Sequence, residues 1–242
     1  MTPTQDPAQD SRLERVKRLP ISKVLRMRLF RNIPNIVSIL GVVPFAILFL
    51  EDGFRYLLPL IVYNNMMDDL DGILAAKLDL KSEFGAALDN VCDAVAHILV
   101  VMAVGMHYGG LCALLSLVAV VSIMVRVVSR LTPNSKTGVG SPTNEMMRHI
   151  FFVLIVAPYF EIAVGPFLNM VFVLNAVSMH VPYPLVFSIR SLTTSPAAIG
   201  LVNVALGVAW LFPVAALPIG TCFAGTYLYS LVAGAISWNR RS

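Results

Sequence analysis

Residues 68–93 read DDLDGILAAKLDLKSEFGAALDNVCD, and this stretch sets acidic side chains inside two long apolar runs. The four acidic residues at related spacings are Asp68, Asp71, Asp89 and Asp93. A carboxylate without a partner in such a run is costly, at roughly 2.5–3.5 kcal/mol on membrane-insertion scales. A chain that keeps four of them is expected to bind a cation with them.

The spacing of these aspartates predicts a shared site. Asp68 and Asp71, three residues apart, share one face of a helix, and the other pair, four residues apart, share a face of the next helix. The short polar connection 78–83 predicts an antiparallel hairpin, which sets Asp71 opposite Asp89. The hairpin also sets Asp68 opposite Asp93, so that all four carboxylates meet at one depth. This oxygen-rich cage predicts a hard divalent cation, Mg²⁺ or Mn²⁺.

The composition predicts a membrane protein. Of the 242 residues, 57% are hydrophobic and only 13% are charged, and the mean hydropathy is +0.76. These values exclude an ordinary soluble domain. The net charge of +4 is modest, and we expect no nucleic-acid partner.

Eight apolar segments predict an all-α, polytopic membrane bundle of six to eight transmembrane helices, with eight favoured. The predicted segments are 33–50, 56–78, 84–106, 110–130, 146–160, 163–181, 196–213 and 217–238. Residues 32–242 therefore form the membrane domain. Residues 1–31 are a separate N-terminal segment, basic and amphipathic, which is expected either to lie on an anionic leaflet or simply to set the topology.

The basic residues of the loops predict the orientation. Successive loops on one side are rich in lysine and arginine, whereas the loops on the other side carry few cations. The basic loop and tail residues are Lys77, Lys81, Arg130, Lys136, Arg190, Arg240 and Arg241. This positive-inside pattern predicts a cell (inner) membrane protein with both termini and the aspartate cage on the cytoplasmic side.

The stretch resembles the signature of the CDP-alcohol phosphatidyltransferases, D-x2-D-G-x2-A-R-x8-G-x3-D-x3-D, with every spacing kept. The matching positions are Asp68, Asp71, Gly72, Ala75, Gly85, Asp89 and Asp93. One position departs from the signature, because Ala76 stands where the family has an arginine. Lys77 or Lys81 would have to replace its charge. Short stretches at 140–143 and 177–184 look like those of the bacterial membrane-type phosphatidylserine synthases.

The resemblance implies a reaction and roles for the motif residues. A phosphatidyl group would pass from CDP-diacylglycerol to a small alcohol with release of CMP, and L-serine is the favoured acceptor. Two Mg²⁺ or Mn²⁺ ions would be held by the four aspartates, and Asp93 would also be the general base. The residues expected to bind the CDP-lipid are Asn35, Gly72, Ala75, Lys77, Lys81, Ser82 and Gly85.

Arginines near the third cytoplasmic turn suggest an acceptor pocket. Arg126, Arg130 and Arg148 could receive an acidic group of the alcohol or the lipid phosphate. An orientation signal explains Arg130 or Arg148 at least as well, whereas Arg126 sits deeper in its apolar segment and would need a partner. A homodimer is expected by analogy with the family alone.

Several other functions stay open at this point. Within the family, the product could be phosphatidylglycerophosphate or phosphatidylinositol phosphate. Outside it, intramembrane aspartates are typical of transporters, although here they are confined to one hairpin. A third alternative is a family member that binds nucleotide or lipid without turnover, because the motif arginine is missing.

Overall fold

The computed structural model describes residues 29–132, 142–193 and 195–240, and over these ranges the chain is helical with no β-strand. Helix α1 is Ile33–Val42, and 3-10 turns at Val43–Phe49 and Gly53–Tyr56 follow it. The later helices are α2 Leu57–Lys77, α3 Glu83–Tyr108, α4 Gly110–Leu131, α5 Pro142–Tyr159, α6 Val164–Ser178, α7 Ile189–Leu192, α8 Pro196–Leu211 and α9 Pro213–Asn239. The all-α prediction is confirmed for these ranges. The predicted amphipathic N-terminal segment lies almost entirely outside them.

Each predicted apolar segment overlaps a helix, but few of the described helices qualify as membrane spans by themselves. In the described ranges, α3, α4 and α9 are long and apolar enough to cross a membrane. Ile33–Phe49, α6 and α8 are shorter apolar helices. About 20 residues are needed to span a bilayer, so the count of six to eight spans stays a prediction.

The turns between helices follow from local chemistry. Ser82 begins α3 by accepting a hydrogen bond from the Gly85 amide at 3.0 Å, which is an ordinary N-cap. Asp79 has a φ of 52° in the turn before it, a conformation that aspartate tolerates better than most residues. Gly109 and Gly110 also have positive φ values, and the chain reverses there between α3 and α4.

The core is built around α5. All of its residues from Thr143 to Phe152 are buried, because α2, α3, α6 and α9 all pack against it. Helix α1 packs against both α2 and α3, and α8 packs against α2 and α9. At Gly105, an added Cβ would collide with Ser116, so α3 and α4 approach closely there, as small residues allow in membrane bundles. This packing holds the acidic stretch between α1 and α5.

Candidate metal and substrate site

Three of the four predicted ligands come together. Carboxylate oxygens of Asp68 and Asp71 on α2 and of Asp89 on α3 all lie within 4.8 Å of one another. Asp68 exposes 9% of its surface and Asp71 exposes 5%. Carboxylates this close and this buried repel one another unless a cation or protons neutralise them.

The donor set fits a divalent cation. Mg²⁺ binds oxygen at about 2.0–2.1 Å, so two oxygens on opposite sides of one ion lie about 4.2 Å apart. The oxygens of the cluster lie within 4.8 Å of one another, which is compatible with this value, and all three ligands are the hard oxygen donors that Mg²⁺ and Mn²⁺ prefer. Small side-chain movements would bring these oxygens around one ion.

Neutral donors from two other helices orient the cluster. Ser38 on α1 donates a short hydrogen bond to Asp71 Oδ2. Asn144 on α5 donates to Asp68 Oδ2 at 3.1 Å. Such outer contacts fix the direction of metal-binding carboxylates, so α1 and α5 both contribute to the site. The sequence analysis did not single out Asn144.

Asp93, the fourth predicted ligand, lies next to the cluster of three aspartates. It is not in the group of three, and it lines a narrow recess beside the cluster together with Asn90, Arg126, Arg130 and Thr143. Asp93 follows Asp89 by one helical turn, which is about 6 Å along the axis. Residues four apart share one face of a helix, so Asp93 faces the same side of α3 as Asp89 although its carboxylate is not part of the group of three.

The recess contains two of the three predicted acceptor arginines. Arg130 donates to Asn90 Oδ1 at 3.0 Å, and Arg126, which is 6% exposed, donates to the Met179 carbonyl at 3.4 Å. Guanidinium groups bind carboxylates and phosphates well. Both guanidinium groups therefore lie beside the Asp93 carboxylate, in a recess of only about 10 Å³.

Arg148 lies elsewhere. Its Nη1 is 3.3 Å from Glu145 Oε1, and both side chains are 1% exposed. Its Nε and Nη2 donate to Asn65 Oδ1 at 3.3 and 3.0 Å. The structure therefore does not bring Arg148 into the recess with Arg126 and Arg130, because Glu145 and Asn65 hold it between α5 and α2.

Several predicted CDP-lipid residues gather where α1 meets the start of α3. A Cβ added at Gly85 would lie 3.0 Å from Ser82 Oγ and 3.1 Å from Asn35 Oδ1. The N-terminus of a helix favours anionic groups such as phosphates. Asn35, Ser82 and Gly85 are therefore neighbours at an end of α3 that suits a diphosphate.

Gly72 and the basic residues lie on the open side. A Cβ at Gly72 would meet no atom within 4 Å, so protein packing does not require a glycine at that position. Ala75 is half-buried, and Ala76, Lys77 and Lys81 are exposed. Both lysines lie at the exposed turn between α2 and α3, near the position that the family arginine would occupy.

A partly buried polar network between α2 and α8 was missed by the sequence analysis. Asn203 on α8 donates to Asp69 Oδ2 at 2.7 Å and accepts from Asn65 Nδ2 at 2.8 Å. Asn65 Nδ2 also lies 3.2 Å from Asp69 Oδ2. The available signal was the spacing of four between Asn65 and Asp69, together with a single polar residue in the middle of the apolar helix α8.

A known protein family matches the part of the chain that contains most of these helices. Residues 31–183 match the family model described as CDP-alcohol phosphatidyltransferase. The matched range contains α1 to α6, the three clustered aspartates and the recess, whereas α8 and α9 lie beyond it.

One curated relative is an uncharacterized protein of Aquifex aeolicus (strain VF5), 35% identical over 79 residues. The similarity covers 31% of this chain and 40% of that relative, so the chain spans less than half of that protein's length. The name of that relative states no activity. The family model, by contrast, matches more than half of the 242 residues, and the chain therefore belongs to the CDP-alcohol phosphatidyltransferase family.

Proposed function

We propose that this protein is a membrane enzyme that transfers a phosphatidyl group from CDP-diacylglycerol to a small alcohol and releases CMP. L-Serine is the favoured acceptor, which would make the product phosphatidylserine. The observation that carries the proposal is the convergence of Asp68, Asp71 and Asp89 in a chain of this family. Phosphatidylglycerophosphate and phosphatidylinositol phosphate are the alternative products within the family.

The CDP-lipid would bind across the cluster and the start of α3. Asp68, Asp71 and Asp89 would hold Mg²⁺ or Mn²⁺, and the family relationship favours two ions. When bound, these ions neutralise the diphosphate and stabilise the charge that develops on the leaving phosphate. The open surface at Gly72 supports this placement, because a substrate can approach the backbone there.

Asp93 is proposed as the general base. Its carboxylate would accept the proton of the acceptor hydroxyl, and the hydroxyl oxygen would attack the phosphorus that carries the lipid. The bond from that phosphorus to the bridging oxygen then breaks, and CMP leaves with the bond electrons. The position of Asp93 in the recess beside the cluster supports this role.

The acceptor would lie in the recess. Arg126 and Arg130 would bind its anionic group, which in serine is the carboxylate. The recess has a volume of only about 10 Å³, which is room for about one water, so its side chains would have to move apart to admit any of these acceptors. Arg148 is left out of this pocket because Glu145 and Asn65 engage it.

The missing family arginine leaves one alternative within the family. Lys77 and Lys81 are exposed at the turn next to Ala76 and would supply the positive charge toward the diphosphate. If neither does so, the protein binds nucleotide or lipid without turnover. A homodimer in the inner membrane, with the site and both termini facing the cytoplasm, completes the proposal.

The test is an assay of CMP release by the purified full-length protein. CDP-diacylglycerol and Mg²⁺ or Mn²⁺ would be supplied with serine, glycerol 3-phosphate or inositol phosphate. We expect CMP release with serine, and none after chelation of the metal. If a phosphorylated alcohol supports CMP release and serine does not, that alcohol is the acceptor instead of serine. Absence of CMP with every alcohol and both metals would contradict the enzymatic proposal.

A further inference from the structure

Helix α1 ends where a proline interrupts its hydrogen bonding. The last regular bond of the helix runs from the Val43 amide to the Ile39 carbonyl. The next bond would join the amide of residue 44 to the Leu40 carbonyl, but residue 44 is a proline and has no amide hydrogen. The Leu40 carbonyl therefore needs a donor from outside the regular pattern of its own helix.

Tyr63 on α2 supplies that donor. Its hydroxyl donates to the Leu40 carbonyl at 3.0 Å. Leu40 is 47% exposed, and the segment Ile33–Phe49 is apolar, so in a bilayer this surface faces lipid rather than water. Backbone groups in hydrocarbon must find partners within the protein, and neighbouring helices and side chains provide them at prolines. The tyrosine hydroxyl thus replaces the amide that Pro44 lacks.

Other contacts on the same side of α2 bring the two helices close together. Asn64 Nδ2 lies 3.5 Å from the Gly41 carbonyl. A Cβ added at Gly41 would lie only 3.1 Å from Met67 Cβ, so the two backbones approach closely there. Tyr63, Met67 and Asp71 follow one another at intervals of four residues, which places them in one row along the helix. The row that contacts α1 therefore leads from Tyr63 to a clustered aspartate.

Ser38 joins α1 to that aspartate. Its side chain is buried, and its hydroxyl donates the short hydrogen bond to Asp71 Oδ2. Ser38 precedes Leu40 by two residues, which is about 3 Å along a helix axis. Because both belong to the same helix, a movement of α1 at Leu40 also moves the Ser38 hydroxyl relative to Asp71.

We propose that Tyr63 is a positioning residue of the candidate metal site, which holds α1 where Ser38 reaches Asp71. Without the tyrosine hydroxyl, the Leu40 carbonyl has no regular helical donor and, in hydrocarbon, no water. The end of α1 then shifts to satisfy this carbonyl, and the Ser38 hydroxyl shifts away from Asp71. The role of Tyr63 rests on the proposed function, in which Asp71 binds a divalent metal ion.

The test measures Mn²⁺ affinity by electron paramagnetic resonance, with the full-length protein in phospholipid nanodiscs. Tyr63→Phe removes the hydroxyl and keeps the ring. It should weaken Mn²⁺ binding by about tenfold, which is the lower end of the range for contacts that orient metal ligands.

Tyr227→Phe is the matched control. Tyr227 is 1% exposed, and its hydroxyl donates to Ser178 between α9 and α6. Both tyrosine variants lose one hydrogen bond, so both should lower the thermal midpoint. Only Tyr63→Phe should change the Mn²⁺ affinity, because only Tyr63 holds α1.

Two double variants identify how the effect reaches the metal site. In a Ser38→Ala background, Tyr63→Phe should cause no further loss of Mn²⁺ affinity, because its effect passes through the Ser38 hydroxyl. Pro44→Ala restores an amide that can donate to the Leu40 carbonyl. Combining Pro44→Ala with Tyr63→Phe should therefore return the Mn²⁺ affinity close to that of the wild type.

Four results would overturn the proposal. They are an unchanged Mn²⁺ affinity in Tyr63→Phe; an equal loss in Tyr227→Phe; a further loss of the same size in the Ser38→Ala background; and a folded double variant with Pro44→Ala that binds Mn²⁺ no better than Tyr63→Phe alone. Each leaves Mn²⁺ binding by the wild type intact. Absence of Mn²⁺ binding by the wild type would instead contradict the metal site itself, and the role of Tyr63 with it.

Discussion

Asn203 Nδ2 lies 2.7 Å from Asp69 Oδ2, and this hydrogen bond joins α8 to the helix that carries Asp68 and Asp71. Asp69 is 6% exposed, so its carboxylate depends on such partners for stability. Helix α8 lies beyond the range that matches the family. The contact therefore ties a C-terminal helix of this chain to the geometry of the candidate metal site.

Asn203→Leu is expected to destabilise the protein and to disturb the site. Removing one partner of a buried charged hydrogen bond costs about 1–3 kcal/mol, so the thermal midpoint should fall and divalent-metal affinity should fall with it. Thermal unfolding and Mn²⁺ titration of the purified protein check this. Val204→Ala, an exposed neighbour on the same helix, is the control. An Asn203→Leu protein with unchanged midpoint and metal affinity would show that the contact is incidental.

Gly72→Ala separates stability from function. An alanine at this open helical position meets no protein atom, so it should raise the free energy of unfolding by about 0.5–1 kcal/mol. CMP release should nevertheless fall, because the added methyl group lies where the CDP-lipid would approach. Gly207→Ala, an equally open helical glycine on α8, should stabilise without loss of activity. Full activity in Gly72→Ala would place the lipid elsewhere.

Asp93→Asn tests the role of the general base. Proton transfer by a positioned side chain typically contributes about 10²–10⁴-fold to the rate, so the rate of CMP release should fall by that factor. Binding of CDP-diacylglycerol should persist, because the three clustered aspartates are untouched. The two are measured by turnover and by equilibrium binding of labelled CDP-lipid. A variant that turns over at the wild-type rate would remove Asp93 from this role.

Substitution of Arg130 in the recess and of Arg148 between α5 and α2 should have different effects. Arg130→Gln should raise the KM for an anionic acceptor by about tenfold or more and leave folding intact, since a hydrogen bond to a charged group contributes about 1.5–3 kcal/mol. Arg148→Gln should instead destabilise the fold by about 3–5 kcal/mol, because Glu145 would remain buried without its cation. Acceptor KM values and thermal midpoints distinguish the two effects. A stable Arg148→Gln protein with a raised acceptor KM would show that Arg148 binds the acceptor.

Much of this arrangement is predictable from local sequence patterns. The apolar runs place the helices, and the fixed spacing of Asp68, Asp71 and Asp89 brings their carboxylates into one cluster. The Ser82 cap and the polar turn before it set the hairpin. These features depend on residues close in sequence or on a regular helical period, and both can be read directly.

Contacts between distant segments were not predictable. The partner of Asp69 is Asn203, 134 residues later, and nothing local to either residue indicates the other. The direction of Arg148 depends on how α5 rotates against α2, which decides that it meets Asn65 rather than the recess. The position of the Asp93 carboxylate outside the group of three depends on its rotamer and its neighbours on α4 and α5, which the spacing of four from Asp89 does not determine.

Mn²⁺ binding to the purified protein, followed by electron paramagnetic resonance, tests the convergence of the aspartates most directly. Asp71→Asn removes one oxygen ligand and the acceptor of the Ser38 hydrogen bond, whereas Asp52→Asn, with a side chain 78% exposed, is the control. We predict Mn²⁺ binding by the wild type and by Asp52→Asn, weakened about tenfold or more in Asp71→Asn. Equal Mn²⁺ affinity in all three proteins, or no binding by the wild type, would contradict the metal site.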